Sequence, residues 1–318
     1  MTRELDVICI SAALVYMVAQ VERHPQDDDE VFVSNLKLMS GGAAANTAYA
    51  CAKLGLNTAF IGKLGIDDEF GRIIIKDFED VALDISLIKY SAEYGTGSAY
   101  IVLSKDGDRR IYAHSGAANY LTKEDIISDE ILRSKVVFLS SLKNLDSFIE
   151  AAEIARNNDV SVILNPGMLI IEQGLEKIKH LLEKIDVFIL SQREIKTLLS
   201  LEDVNFEDIN GNVKISELFN LGIKAVIITM GKKGATLINQ RKSEKISPVD
   251  VKEIVDTTGA GDAFSAGFIY GFVNNLSFKF DALKKNVMLG NFVAAKCIQK
   301  LGARNGIPSY DELTSLID

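Results

Sequence analysis

The chain has 318 residues but only three cysteines and three histidines. Cys9, Cys51 and Cys297 form no Cys-x-x-Cys pair. So sparse and odd a set fits reduced thiols in a cytosolic protein and excludes a disulfide framework. His24, His114 and His180 share no ligand spacing, which excludes an ordinary zinc site. There is no cluster of Lys or Arg, and the net charge is −9. A nucleic-acid polymer and an anionic membrane are therefore poor partners. Backbone dipoles can still hold a small anion on an acidic protein. No apolar run reaches the roughly 20 residues that a membrane span needs. Acidic residues inside the opening MTRELDVICIS argue against a signal peptide, so a cytoplasmic location is expected. Only four prolines occur, without internal repeat or low-complexity linker, so residues 1–318 read as a single domain.

Several nucleotide signatures are also missing. There is no G-x-x-x-x-G-K-[ST], which excludes a P-loop enzyme. The H-R-D and D-F-G pair of protein kinases is absent. No G-x-G-x-x-G follows the first strand, which weakens a dinucleotide-dependent oxidoreductase.

What is present is a rhythm of short β-type runs and amphipathic helical segments. Strands are expected at Leu5–Ser11, Thr58–Ile61, Val136–Ser140, Val160–Asn165, Val187–Ser191 and Ala225–Met230. Helices are expected at Ala44–Leu54 and Ser147–Asn157, and in the last third at Ala260–Asn274, Phe280–Lys300 and from Tyr310. Such alternation predicts a mostly parallel sheet with helices on both faces. Two stretches break it. Glu30–Leu38 and Ser98–His114 look antiparallel, the second with Lys-Asp-Gly-Asp as a hairpin turn. Inserted between early βα units, they could form a small separate sheet.

Five motifs carry the chemistry. Asp256-Thr257-Thr258-Gly259-Ala260-Gly261-Asp262 opens an apolar helix. Its glycines let the backbone approach a ligand, and the helix points free N–H groups and a positive dipole end at it. That is an anion hole for phosphate charge. A carboxylate beside such a hole makes sense if Asp262 takes a proton from an attacking hydroxyl. Gly41-Gly42-Ala43-Ala44-Ala45-Asn46 opens a second helix, where Asn46 can donate and accept hydrogen bonds to ligand hydroxyls. The bland alternative is a tight turn into an Ala-rich helix. Gly62 to Gly71 reads best as loop architecture, with Asp67 or Asp68 capping a helix. Thr229-Met230-Gly231-Lys232-Lys233-Gly234 ends a buried strand, where open α/β sheets bind ligands, or is a plain strand-to-strand turn. Ser191-Gln192-Arg193-Glu194 favours a capping box over a ligand site.

Taken together and in order, these motifs resemble the ribokinase-like, or PfkB, family of carbohydrate and nucleoside kinases, nearly from end to end. The resemblance implies a three-layer α/β sandwich: a mostly parallel central sheet flanked by helices, with a small β-sheet lid from about residues 12–38 and 96–115. It implies Asp262 as catalytic base and Gly259, Ala260 and Gly261 as the anion hole. Gly41, Gly42 and Asn46 would bind the acceptor. Ser191, Thr229, Gly231, Gly234, Gly261 and Asn291 would line the nucleotide site. Glu194 would organise magnesium through water, and Asp256, Thr258 and Gly302 match positions that hold a monovalent cation such as potassium. ATP is the implied donor, and the lid strands imply a homodimer.

The chain departs from the family pattern at two places. Ser191 stands where the N-x-x-E motif begins with Asn. In the first-strand region, Leu14 and Tyr16 stand where family members carry an Asn and a sugar-gripping Asp. Tyr16 offers a flat apolar face with one hydroxyl, suited to a ring that stacks. Ala43 to Ala45 leave room for more than a pentose. The expected acceptor is therefore an extended one such as a nucleoside, with free ribose poor. A kinase-like ligand-binding or regulatory protein is the alternative; the intact Asp262 box argues against it.

Overall fold

The computed structural model describes residues 3–314 apart from 203 and 207–211. The ends of the expected single domain thus lie outside the described residues. The central sheet has eight strands. From one edge they are Ser243–Ile246, Ala235–Ile238, Ala225–Thr229, Val187–Ser191, Ser161–Asn165, Ser134–Ser140, Leu5–Ile10 and Thr58–Ile61. The last six run parallel, and the first two are an antiparallel extension.

These strands are near-continuous apolar runs because both faces are covered. Their side chains alternate between two cores. Ile8 and Ile10 face one with Phe148, Leu181 and Phe219, carried by helices Asp146–Asn157, Leu175–Leu182 and Val213–Asn220. Val7 and Cys9 face the other with Phe78, Phe264 and Phe268, where helices Ala43–Lys53, Glu69–Glu79, Ala260–Val273 and Phe280–Cys297 lie. All three cysteines are buried and free. Among the described residues no helix is long and apolar enough to cross a membrane.

The small sheet is present and differs in detail from expectation. Its order is Val33–Gly41, Leu14–Val21, Thr96–Ser104, Arg109–Gly116. Each outer pair is antiparallel, but the middle pair is parallel. Each hairpin begins where the chain leaves the body, and the two starting strands run side by side in one direction. The strand expected at Glu30–Leu38 is shifted to Val33–Gly41 and runs straight into the Gly-Gly turn. Leu14 and Tyr16 therefore belong to the lid rather than to the first body strand.

The Gly62–Gly71 segment is more than a loop: Lys63–Gly65 pairs in parallel with Lys89–Ser91. Asp68 caps helix Glu69–Glu79, accepting the Gly71 N–H at 2.5 Å. Its other oxygen accepts the Thr96 N–H, tying that helix to the lid.

Candidate active site

Two helices start side by side under the lid, and each follows a glycine in a left-handed or otherwise positive-φ conformation. Gly42 has φ 105° and precedes Ala43–Lys53. A side chain there would run into the carbonyl oxygen of Ala12. Gly259 has φ 77° and precedes Ala260–Val273; a side chain there would strike the backbone of Ala303. Neither helix has a side-chain cap, and although the Ala260 N–H reaches the Thr257 carbonyl at 3.3 Å, an uncapped start of this kind can hold an anion. Gly261 is different: its φ is ordinary and the space where a Cβ would sit is open. The turn needs Gly259, while Gly261 keeps the approach clear.

The two helix starts are joined through their side chains. Asn46 Nδ2 donates to Asp262 Oδ2 at 2.9 Å, and the Thr47 hydroxyl lies between the Ala43 carbonyl at 3.1 Å and the Asp262 carbonyl at 3.3 Å, sharing its one proton. Burial pushes the Asp262 carboxyl up to about 7, against the opposing pulls of the Asn46 N–H and the Arg304 charge. That value suits a base that accepts a proton near neutral pH.

Asn46 is less free than its sequence position promised. Its Oδ1 accepts the Nε–H of Arg304 at 3.0 Å, so one end of the amide is already committed. Arg304 is buried, 8% exposed, and also donates to Asp77 Oδ2 at 3.0 Å. No sequence pattern marked Arg304, since its partners lie 258 and 227 residues away. Only its adjacency to Gly302 and Ala303 could have drawn notice.

Tyr16 lies against the Gly-Gly turn. Its ring fills the place where a Gly41 side chain would sit, and its hydroxyl accepts the Gly42 N–H at 3.1 Å. Burial raises its pKa, and the Asp262 charge adds to that. The same ring forms part of a cleft of about 550 Å³ between lid and body. The cleft's lid side carries Leu14, Val18, Met39, Ile101 and Ile111, with Lys37 and Arg109 as its cations. Its body side carries Asp256, Thr258, Gly302 and Ala303. Neither Asp262 nor Asn46 is part of this wall; of the lining residues, Tyr16 feels the Asp262 charge.

Asp256, Thr258 and Gly302 are brought together. Asp256 accepts the Thr258 N–H at 2.9 Å and the Gly302 N–H at 2.8 Å. Burial works to raise its pKa, but these N–H donors outweigh it and hold the carboxyl below its usual value. Both oxygens thus stitch the loop. A monovalent cation would have to use their remaining lone pairs and nearby backbone carbonyls, as its oxygen-only chemistry allows.

The expected nucleotide residues lie along the carboxyl end of the sheet and beside it. The Thr229 hydroxyl donates to the Leu190 carbonyl at 3.3 Å. Gly231 and Gly234 form a strand-to-strand turn closed by the Met230 N–H on the Gly234 carbonyl at 2.8 Å. Asn291 is buried and donates to the Ser247 carbonyl at 2.9 Å, fixing a loop. Close by, a cleft of about 660 Å³ opens between Glu244–Val249 and Lys284, Met288 and Phe292. Ser191 and Glu194 form a complete capping box, with the Ser191 N–H on Glu194 Oε2 at 2.6 Å. The other Glu194 oxygen is outside that cap, which fits magnesium held through water, a mode this ion favours. Among the described residues no group of three or more His, Cys, Asp or Glu side chains could hold a metal directly.

Comparison with known proteins supplies a context for this geometry. The family model for pfkB family carbohydrate kinases matches residues 4–310. An uncharacterized sugar kinase of Archaeoglobus fulgidus is 35% identical over 260 residues, covering 81% of this chain and 97% of that protein. A ribokinase of Staphylococcus aureus is 31% identical over 313 residues, covering 98% and 99%. Among solved structures, Arabidopsis thaliana ribokinase complexed with ribose and ATP superposes with a TM-score of 0.88 at 25% identity, over 100% of this chain and 99% of that one. The Methanocaldococcus jannaschii nucleoside kinase shares the fold, with a TM-score of 0.83 at 22% identity over 99% and 98%.

Proposed function

The chain belongs to the pfkB family of carbohydrate kinases, and we propose that it transfers the γ-phosphoryl group of ATP to an alcohol hydroxyl, with Asp262 as general base. A sugar or nucleoside kinase is the family's general activity. The observation that carries the finer reading is the Asp262 carboxyl, held near a pKa of about 7 in the first turn of an uncapped helix. The acceptor hydroxyl lies between Asp262 and the γ-phosphate. Asp262 takes its proton as the oxygen attacks, while the N–H groups of Gly259, Ala260 and Gly261 receive the negative charge of the transferring group. The donor's phosphates lead back toward Thr229, Gly231, Gly234 and Asn291. Glu194 would hold magnesium through water, and Asp256, Thr258 and Gly302 would hold a monovalent cation. Magnesium, when bound, supplies charge neutralisation on the phosphates.

The preferred acceptor is extended, a nucleoside rather than free ribose. The lid side of the cleft is mostly apolar, and Leu14 and Tyr16 provide no carboxylate for sugar hydroxyls. Hydrogen bonds to such a charged group would contribute about 1.5–3 kcal/mol each. Tyr16 presents its ring to the cleft instead. A coupled phosphorylation screen over sugars, sugar phosphates, polyols and nucleosides, with several donors, tests this. A nucleoside should give the highest kcat/KM. Efficient turnover of ribose with inert nucleosides would refute the acceptor reading and leave the kinase reading intact. No turnover with any pair would favour a ligand-binding protein.

A homodimer through the lid completes the proposal. Phe32 is 84% exposed, and Leu36, Leu38 and Tyr112 are also exposed on the lid's edge strands. Apolar edges of this kind invite pairing. A monomeric mass by light scattering at micromolar concentration would refute it.

A further inference from the structure

We propose that Arg304 is a positioning residue for the base: it fixes the side-chain amide of Asn46 so that the N–H end, and not the carbonyl end, meets Asp262. The inference rests on the reading of Asp262 as general base. Its ground is a four-residue chain of contacts, Asp77 to Arg304 to Asn46 to Asp262.

An amide side chain is nearly symmetrical in shape, and its neighbours decide which end points where. A guanidinium has only donors, so whatever faces Arg304 Nε at 3.0 Å must be an acceptor. That sets Oδ1 toward Arg304 and turns Nδ2 toward Asp262, 2.9 Å away. An N–H donor favours the ionised carboxylate, the form that can take a proton. With the amide reversed, Oδ1 would face Asp262 and would be satisfied only by the protonated acid.

Arg304 is itself held on several sides. Asp77, from helix Glu69–Glu79, accepts from Nη1, and the guanidinium lies over the rings of Tyr49 and Phe78 at 4.9 and 5.6 Å. Its Nη2 is buried with no hydrogen-bond partner among the described residues. Burying a cation with an unsatisfied donor is costly, and such a cost is sustained where the group does something a neutral residue could not. Among titratable neighbours, Tyr16 faces Asp262 from the lid, Cys297 from helix Phe280–Cys297 and Arg304 from the C-terminal loop, with Asp256 acting on Cys297. Arg304 is the cation that acts on Asp262, whereas Arg109 of the lid acts on Asp256, and the Arg304 charge favours the ionised base.

The test is the pH profile of kcat/KM for Arg304→Met, Arg304→Lys and Asp77→Asn, with Asp262→Asn in parallel. Methionine keeps the stem that packs on Tyr49 and Phe78 but donates nothing. Its acid limb should move up by about one pH unit, with a loss of about tenfold near pH 6 that recovers toward pH 9, and an unchanged KM for ATP. Lysine, which also only donates, should fall between wild type and Met. A folded Arg304→Met variant whose acid limb coincides with wild type, or whose loss is the same at every pH, overturns the proposal. Asp77 is half-exposed, so its substitution spares the core. If the Met variant does not fold, an upward shift in Asp77→Asn supports the proposal and an unmoved profile overturns it. An active Asp262→Asn would instead remove the base reading itself, which keeps the two failures apart.

Discussion

Three helices at the carboxyl edge of the central sheet begin in two different ways. Ala43–Lys53 and Ala260–Val273 begin after positive-φ glycines, with no side chain capping either. Gln192–Leu199 begins after Ser191, whose hydroxyl accepts the Glu194 N–H while Glu194 answers to the Ser191 N–H. At the capped start the Ser191 and Glu194 N–H groups already have side-chain partners. The uncapped pair have no such side chain, and a ligand could complete them. The residues themselves suggested a ligand at the two glycine starts, and the resemblance added the Ser191 start to the active site. Geometry separates two starts without a side-chain cap from one whose cap is complete.

The sharpest way to break that distinction is Asp262→Asn. The fold should persist, and turnover should drop by about two to four powers of ten, a general base's usual share. Retention of more than about a tenth of wild-type turnover would be too much for a lost base. The same residue sets the pH dependence. Only the ionised carboxylate accepts a proton, so with its pKa at about 7 the rate should fall as pH drops below neutrality. Stability runs the other way. The folded pKa is raised above the unfolded value of about 3.9, so the group's stabilising contribution is fully present below that value, where both states are protonated. It is lost as pH rises through about 7. A rate that rises as pH falls from 7 to 6 would count against this assignment.

Gly261→Val comes next. The turn belongs to Gly259, and the space above Gly261 is open. Valine there should leave folding nearly intact and crowd the phosphate approach. A loss of about a hundredfold or more in turnover, the scale of a lost anion-hole donor, is expected with an unchanged melting temperature. Normal activity would make the box a helix start like the capped one.

Legibility followed the range of the interactions. The sheet and the two glycine boxes were readable because apolar periodicity, glycine and an adjacent acid are local signals. The lid's parallel middle pair was not, since Leu14–Val21 and Thr96–Ser104 meet across about eighty residues with no turn to announce it. The resemblance gave Asn46 a place at the acceptor, but neither its bond to Asp262 nor its commitment to Arg304 could be read from the sequence. Thr229 and Asn291 carry backbone-fixing bonds that compete with any direct ligand contact. Ser191 and Glu194 were the opposite case: the S-x-x-E spacing is itself the physics of the cap.

Tyr16→Phe sharpens the comparison from the lid side. The hydroxyl accepts the Gly42 N–H at the start of one uncapped helix. Its removal leaves that donor without its partner, which costs about 1–3 kcal/mol of stability if water cannot enter. The ring face in the cleft is kept. A nucleoside kcat/KM that falls by no more than a few-fold, alongside a lowered melting temperature, fits stacking. A much larger kinetic loss without a stability change would mean that the hydroxyl grips the acceptor.

The smallest effect belongs to the capped helix. Ser191→Ala removes the oxygen that takes the Glu194 N–H, and Glu194 keeps only its half of the box. The loss should be about 0.5–2 kcal/mol, the usual worth of such a cap. Turnover at saturating magnesium should stay near wild type, because the serine's bond is spent within the helix start. Glu194→Gln is the complement. It retains an acceptor for the Ser191 N–H, so stability should change little, while the charge available to water-held magnesium is gone and the half-saturating magnesium concentration should rise. If Ser191→Ala shifted the magnesium requirement as much as Glu194→Gln, the serine would be contacting the metal's waters or the donor phosphates. The capped start would then belong with the two uncapped ones.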